Sequence, residues 1–258
     1  GRTTLAGEGL QHQDGHSLLL ASTVPNCRAY DPTYAYELAV IIQDGMRRMY
    51  ADGESVFYYV TVMNENYAMP AMPKGVEQGI LKGMYLLSIG GRGKVRANLL
   101  GSGTILREVQ AAAEILERDY GVPADVFSVP SFSELRREAL DCERWNLLNP
   151  NEKPRVPYVA QCLSGHEGPF IAATDYMRTV PDQVRQWVPG EYVTLGTDGF
   201  GRSDARAELR HHFEVDRRFV VLAALKALVD DKKLDRKTLA KAMADLGIDA
   251  AKPNPLIS

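Results

Sequence analysis

Residues 94–129, KVRANLLGSGTILREVQAAAEILERDYGVPADVFSV, decide the fold class of this chain. The stretch opens with a short apolar run and a glycine turn, and it continues as a strongly amphipathic helix that ends at Gly121. A second apolar run, ADVFSV, follows at 124–129. Two short apolar runs joined by a helix predict a strand–helix–strand unit with parallel strands.

The same alternation continues on both sides of this unit. Further strands are predicted at 55–64, 169–176 and 191–201, and further helices at 33–50, 131–146, 209–231 and 235–247. We expect Ser131 to cap its helix and Glu134 to complete a capping box. The predicted fold class is therefore α/β, with a mostly parallel sheet flanked by helices on both faces.

The segment NENYAMPAMPKG at 64–75 interrupts this pattern, since it has two prolines three residues apart and little periodicity. We interpret it as a linker and place a domain boundary near Pro73, which gives domains at 1–73 and 74–258. A mobile substrate lid is the alternative interpretation of the same segment.

Composition excludes several classes of protein. The chain has 258 residues, of which 45% are hydrophobic and 24% charged, and its formal net charge is −3. This charge does not favour nucleic acid or an anionic membrane. No apolar run approaches the ~20 residues that span a bilayer. The three cysteines lie far apart, which fits a reducing, cytoplasmic location. Cys142 and Cys162 have no activating base nearby in sequence, so we expect core or partly buried thiols there.

The stretch GEGLQHQDGHS at 7–17 concentrates acids and bases in a glycine-rich loop. A metal site could use His12, Asp14 and His16, but it would lack a fourth ligand. A general acid–base site is the second interpretation, because histidine titrates near neutral pH and glycine lets the backbone approach a substrate. The third is a loop whose histidines only bind backbone carbonyls.

Two other glycine-rich stretches carry polar side chains. GSGTILREV at 101–109 could hold a phosphate at a helix N-terminus or could form only a tight turn. GTDGFGRSDARAELRHHFEVD at 196–216 predicts a loop of fixed geometry at a subunit interface, followed by a helix that Asp204 could cap. His211 and His212 would lie on different faces of that helix, so they cannot share one site.

Five stretches together resemble one known family. They are GRTTLAGEGLQHQDGHS, MNENYAMPAMPKG, LLGSGTILREV, DCERWN and LGTDGFGRSDARAELRHHFEVD. The chain resembles the C-terminal part of the homodimeric bacterial pyruvate dehydrogenases, the thiamine-diphosphate-dependent decarboxylating components of the pyruvate dehydrogenase complex. Transketolases are similar in their middle and C-terminal domains and in their histidine loop.

This resemblance implies a domain assignment and site residues. Residues 1–73 would be the closing part of the middle, pyrimidine-binding α/β domain, and 74–258 a transketolase-like C-terminal domain. His12 matches the family's active-site histidine, which handles protons near the reactive carbon, and Glu8 matches a glutamate at the substrate entrance. Gln11, Asp14 and His16 would have substrate-binding or supporting roles.

The resemblance also implies cofactors and partners. The full-length enzyme would use thiamine diphosphate and Mg²⁺, whose main binding residues we expect outside this chain, so that the chain alone is inactive and holds no metal. It would form a homodimer and acetylate the lipoyl domain of dihydrolipoyl acetyltransferase in the core of the complex. The alternatives are a non-catalytic dimerisation and complex-assembly module, or a segment of a transketolase.

Overall fold

A computed structural model describes all residues from 1 to 258. The strands are β1 (Cys27–Tyr30), β2 (Phe57–Val60), β3 (Tyr85–Ser88), β4 (Ala97–Gly101), β5 (Ala124–Ser128), β6 (Phe170–Ala173) and β7 (Tyr192–Leu195). The helices are α1 (Ser17–Ser22), α2 (Ala35–Met46), α3 (Glu77–Lys82), α4 (Ile105–Tyr120), α5 (Phe132–Leu148), α6 (Tyr158–Leu163), α7 (Thr179–Asp182), α8 (Arg206–His212), α9 (Arg217–Asp230) and α10 (Arg236–Asp245). None of them has both the length and the apolar character to span a membrane.

The strands form two separate sheets. Five of them pair in the order β3-β5-β4-β6-β7, and only the edge strand β3 runs antiparallel to its neighbour. Strands β1 and β2 form a two-stranded parallel sheet, with helix α2 between them in sequence. The predicted α/β fold with a mostly parallel sheet is confirmed. Strands β1 and β3 and the short helices α1, α3, α6 and α7 were not predicted, because elements of four to six residues show too little periodicity.

Helices cover both faces of the five-stranded sheet because successive side chains of each strand point to opposite sides. Leu99 packs into the core beneath α4 and α9, and its neighbour Leu100 packs into the core beneath α5 and α6. Both side chains are completely buried. Each contributes roughly 2 kcal/mol of hydrophobic stabilisation. Because helices cover both faces, no side of β4 is exposed to solvent.

The predicted helix at 209–231 is in fact two helices. The chain turns after α8, where Glu214 adopts a positive φ of 62°. Asp216 then caps α9, because its carboxylate accepts hydrogen bonds from the backbone amides of Arg218 at 3.0 Å and Phe219 at 3.1 Å. The single-helix prediction was wrong because an apolar pattern continues across a break that only the cap reveals.

Helix α5 begins as predicted at Ser131, whose Oγ accepts a hydrogen bond from the amide of Glu134 at 3.1 Å. The predicted capping box does not form. The carboxylate of Glu134 instead pairs with Arg28 at 2.9 Å and with Arg137 at 3.1 Å. Helix α5 is thereby tied to strand β1, which carries Arg28.

The segment at 61–73 has no helix or strand, but it is anchored at Glu65. The Glu65 carboxylate accepts hydrogen bonds from Thr104 Oγ1 at 2.8 Å and from Arg107 at 2.8 Å, and it forms a salt bridge with Arg210. Arg210 is buried, and its Nη1 also lies 3.8 Å from Glu108. The segment is therefore attached to helices α4 and α8 through one carboxylate.

Candidate active site

The histidine loop, which we define as residues 7–16, carries four of the five candidate site residues on its exposed surface. One turn of 3₁₀ helix spans Leu10–His12, closed by a hydrogen bond from the amide of Gln13 to the Leu10 carbonyl at 3.0 Å. Glu8, Gln11, His12 and His16 are exposed. The imidazole of His12 is therefore open to a substrate or to another part of a larger protein.

Asp14 differs from these four because its carboxylate is engaged within the chain. It accepts hydrogen bonds from the amides of His16 at 2.9 Å and Ser17 at 3.0 Å, and also from the Ser17 hydroxyl. Burial favours a higher pKa for Asp14, but the hydrogen bonds from Ser17 and His16 outweigh it and lower the pKa. Asp14 thus holds the start of α1, and no group of three His, Cys, Asp or Glu side chains is placed to hold a metal ion.

Beneath the histidine loop lies the buried guanidinium of Arg2. It donates a hydrogen bond to the Thr197 carbonyl, lies 5.8 Å from the ring centroid of Phe213 and approaches His16 Nε2 at 3.5 Å. The loop backbone fits closely over it, since a Cβ on Gly15 would lie 2.6 Å from Arg2 Nε. Arg2 therefore supports the loop from below and links it to the residues after β7.

A buried polar cluster joins the carboxyl ends of the two sheets. Asp31, which follows β1, accepts hydrogen bonds from Thr61 Oγ1 at 2.6 Å and Ser102 Oγ at 2.9 Å. Ser102 in turn lies 3.1 Å from Thr174 Oγ1. Burial raises the pKa of Asp31 to about 6 and also raises that of Asp175. Both side chains are buried. Asp31 joins the two sheets through Ser102, whereas the Asp175 carboxylate accepts a hydrogen bond from the Thr3 amide at 2.9 Å.

This cluster bears on the two interpretations of GSGTILREV. Gly103 has a φ of +50°, and a Cβ there would lie 2.6 Å from both carboxylate oxygens of Asp31. A carboxylate of the same chain thus packs directly against the turn. The stretch forms a tight turn between β4 and α4, in agreement with the second interpretation.

Sequence reasoning did not identify the cluster of Asp31, Ser102 and Thr174. Part of a signal was present, because Ser102 and Thr174 directly follow the cores of two predicted strands, whereas β1, which Asp31 follows, was not predicted. Carboxyl ends of parallel strands collect functional and polar groups at one edge of a sheet. The sequence did not show that the carboxyl-end edges of the two sheets would face each other.

The remaining polar candidates are His211, His212 and Asp204, which belong to the segment after β7. His211 Nδ1 lies 3.2 Å from Asp216, whereas His212 packs edge-on against Phe213 and burial lowers its pKa, so the two imidazoles have separate surroundings as predicted. Asp204 does not cap α8, since its carboxylate accepts a hydrogen bond only from the next amide, that of Ala205. That capping prediction was wrong.

The two thiols predicted to be core or partly buried have no activating base. Cys142 is buried, and burial together with a hydrogen bond to Glu138 raises its pKa to about 11. Cys162 is partly buried, and burial raises its pKa as well. A raised thiol pKa leaves little reactive thiolate near neutral pH, so the prediction of unreactive thiols is supported by both positions.

A cavity of about 560 Å³ lies at the opposite end of the five-stranded sheet. It is lined by residues that precede strands, among them Arg96, Pro169 and Glu191, and by His166. His166 Nδ1 lies 2.7 Å from Asp125. This cavity shares no residue with the histidine loop.

Comparison with known protein families divides the chain into two matched regions. Residues 1–70 match the pyruvate dehydrogenase E1 component middle domain, and residues 83–216 match the transketolase-like C-terminal domain. The second match covers just over half of the chain. The chain belongs to the transketolase-like C-terminal domain family.

Curated relatives of this transketolase-like chain are similar along its whole length. The pyruvate dehydrogenase E1 component of Pseudomonas aeruginosa is 62% identical over 258 residues, which are 99% of this chain and 29% of the relative. That of Escherichia coli K12 is 58% identical over 262 residues, covering 100% of this chain and 29% of the relative. The chain therefore corresponds to 29% of the length of the relatives that it matches.

Solved structures share the fold at low sequence identity. A transketolase complex with sedoheptulose 7-phosphate from Pichia stipitis has a TM-score of 0.62 at 19% identity, over 90% of this chain and 30% of that one. A split-gene transketolase described as an inactive β4 tetramer has a TM-score of 0.55 at 18% identity, over 87% of this chain and 65% of that one. The transketolase-like fold expected from the resemblance is confirmed.

Proposed function

We propose that the full-length protein is the acetyl-transferring, decarboxylating component of a pyruvate dehydrogenase complex. It would release carbon dioxide from pyruvate and pass the acetyl group to the lipoyl domain of dihydrolipoyl acetyltransferase in the core of the complex. The high identity to pyruvate dehydrogenase E1 components, along all of a chain that includes the histidine loop, supports this proposal. The reaction belongs to the whole protein, because this chain corresponds to 29% of the relatives' length.

Within that reaction, His12 is the group that handles protons. The observation that carries this role is its imidazole, which is exposed on a 3₁₀ turn closed by Gln13. A histidine can donate to an oxygen that gains negative charge and can recover the proton near neutral pH. Glu8, also exposed on the loop, would act with it at the substrate entrance.

The other three candidates have supporting roles in this proposal. Gln11 is exposed beside His12 and would bind substrate oxygens as a neutral donor. Asp14 holds the start of α1, which fixes the carboxyl end of the histidine loop. His16 lies against Arg2 and would transmit the position of that guanidinium to the loop.

The residues of this chain do not fit a thiamine diphosphate and magnesium site. No cluster of three metal-ligating side chains is present, and the Asp31 carboxylate packs against the glycine turn at 101–103. We propose that thiamine diphosphate and Mg²⁺ are bound by other parts of the full-length protein. When bound, the cofactor supplies the electron sink for decarboxylation, while this chain contributes the proton-handling groups of the histidine loop.

The organisation of the protein is part of the proposal. We propose that residues 1–73 close the middle domain, that 74–258 form the C-terminal domain, and that the protein is a cytoplasmic homodimer. The family matches at 1–70 and 83–216 support this division.

The role of His12 is tested by His12→Ala in the full-length protein. We expect kcat for carbon dioxide release from pyruvate to fall roughly 10²–10⁴-fold, the usual contribution of a general acid–base group. The Kd for thiamine diphosphate should remain close to that of the wild type. The matched control is His166→Gln, at the far end of the sheet, which should retain full turnover. An unchanged kcat for His12→Ala at saturating pyruvate and cofactor would show that the assigned role is wrong.

A further inference from the structure

The segment after β7 contacts the histidine loop at two points. We call residues 196–204, GTDGFGRSD, the glycine loop. The amide of Gly7 donates a hydrogen bond to the Asp204 carbonyl at 2.9 Å, and the amide of Arg202 donates one to Gln13 Oε1 at 3.1 Å. The histidine loop is thus held at its start and directly after His12.

The second contact is also a close steric fit. A Cβ on Gly201 would lie 2.8 Å from Gln13 Cβ, a distance that real Cβ atoms essentially never show. The φ angle of Gly201 lies outside the left-handed region, so its backbone conformation does not itself require glycine. The absence of a side chain is needed only to let the two loops touch.

Arg2 and Met177 hold the other end of the histidine loop. The Arg2 guanidinium donates to the carbonyl of Thr197, which belongs to the glycine loop, and a Cβ on Gly15 would meet Arg2 Nε at 2.6 Å. The amide of Met177 donates to the Gly15 carbonyl at 3.0 Å. The turn that carries His12 therefore lies between two attachments to segments that follow β6 and β7.

We propose that the glycine loop is a positioning element for His12, with Gly201 and Gln13 as the residues that set its location. The inference rests on the proposed role of His12 and extends it to residues that touch no substrate. Gln13 is the next residue after His12 and closes its turn, so a shift of the Gln13 backbone moves the imidazole directly. A displacement of about 1 Å at a reacting group can cost on the order of 10²-fold in rate.

The proposal is tested by Gly201→Ala in the full-length protein. We expect kcat with pyruvate to fall on the order of 10²-fold while KM changes little, because the side chain moves without loss of a binding group. Hydrogen exchange of the amides at 7–16 should become faster. The control Gly190→Ala lies just before β7 at the other end of the sheet, where a Cβ would be 3.3 Å from the Phe170 ring, and it should change neither quantity.

A second variant tests the same contact in case Gly201→Ala does not fold. Gln13→Ala removes the acceptor for Arg202 without adding an atom, and we expect it to lower kcat in the same direction. Because Gly201→Ala and Gln13→Ala disturb one contact, the double variant should lose less than the product of the two single losses. Full independence of the two effects would contradict the proposal.

The results distinguish the positioning role of the glycine loop from the proposed role of His12. If Gly201→Ala and Gln13→Ala keep kcat and hydrogen exchange unchanged while His12→Ala loses turnover, the positioning role is wrong and the proposed function stands. If His12→Ala retains turnover, the proposed role of His12 is wrong, and the positioning role that rests on it is wrong as well. Faster exchange at 7–16 with unchanged kcat would also overturn the positioning role, since the loop would then have moved without effect.

Discussion

Ser102 Oγ donates a hydrogen bond of 2.9 Å to the carboxylate of Asp31, and this bond links β4 of the large sheet to β1 of the small one. Each residue directly follows its strand, so the carboxyl ends of the two sheets meet at this point. In open α/β sheets this edge is the usual site for a ligand. In this chain the edge is occupied by the buried side chains of Asp31 and Ser102. The exposed candidate residues Glu8 and His12 lie instead on the histidine loop.

Asp31→Asn should make unfolding less dependent on pH. Burial raises the pKa of Asp31 from 3.8 to about 6, so folding favours the protonated carboxyl. The stability that this group contributes is complete below pH 3.8 and is lost as the pH rises through 6. A shift of about two pKa units corresponds to roughly 3 kcal/mol. Urea unfolding should therefore find Asp31→Asn more stable than the wild type at pH 8 by up to that amount.

The same comparison at low pH provides the internal check. Near pH 4 the variant and the wild type should have similar free energies of unfolding, because the native carboxyl is then already protonated. Asp141→Asn, at a carboxylate whose side chain is 73% exposed, should show no such pH-dependent difference. A constant difference between Asp31→Asn and the wild type across this range would contradict the raised pKa.

Gly103→Ala should destabilise the fold more than an ordinary glycine substitution. It would add strain at a φ of +50° and place a methyl group 2.6 Å from the Asp31 carboxylate. We expect a loss of about 3 kcal/mol in the free energy of unfolding. Gly121→Ala is the matched control, since its φ is +65° with nothing within 4 Å of the added Cβ, and it should cost about 1 kcal/mol. Equal losses in denaturant unfolding would show that the contact with Asp31 is unimportant.

Glu65→Gln should weaken the attachment of the 61–73 segment. Burial favours a higher pKa for Glu65, but the hydrogen bond and charge of Arg210, with Thr104 and Arg107, lower it to about 2. Its contribution is present above pH 4.5 and is lost as the pH falls towards 2. Because Arg210 would be left buried with one carboxylate fewer, we expect a loss of about 3 kcal/mol at pH 7.

A surface ion pair provides the comparison for Glu65→Gln. Glu54 pairs with Arg48 at 2.6 Å but is 41% exposed, and such pairs are screened by water and salt. Glu54→Gln should therefore have a much smaller effect on the unfolding midpoint. Equal shifts of the unfolding midpoint for Glu65→Gln and Glu54→Gln would show that the buried Glu65–Arg210 network stabilises the fold no more than a surface ion pair.

Asp216→Ala should destabilise α9 by removing a cap that accepts hydrogen bonds from two backbone amides. Loss of such a cap costs about 1–2 kcal/mol, which thermal unfolding can measure. Asp216→Asn keeps an acceptor oxygen and should recover most of this loss. Asp235→Ala, which removes a cap with a single amide partner on α10, should cost less. A larger loss for Asp235→Ala than for Asp216→Ala would refute this ranking.

The regular part of the fold was predictable from local sequence. The unit at 94–129 has its strand, helix and αL terminus within a few residues of the prediction, because apolar spacing and glycine act over short distances. The break at Glu214 was not predictable from spacing, since the apolar pattern runs through it. Strand β3 was missed because four residues at a sheet edge carry no distinct pattern.

The candidate site was predictable in residue type but not in surroundings. The exposure of Glu8 and His12 follows from a glycine-rich loop, whereas the hydrogen bonds of Asp14 at the start of α1 required the structure. The Asp31–Ser102 bond joins residues 71 positions apart, and no local pattern encodes such a pairing. The catalytic roles of Glu8 and His12 rest on the resemblance and stay predictions until the substitutions are made.

The support of the histidine loop has a consequence for synthesis of the protein on the ribosome. Arg2 bonds to Thr197 across 195 positions, and Arg202 bonds to Gln13 across 189. At elongation rates of about 5–20 residues per second, the loop leaves the ribosome roughly 10–40 s before its partners exist. The nascent loop therefore emerges well before the segments that support it in the native structure have been synthesised.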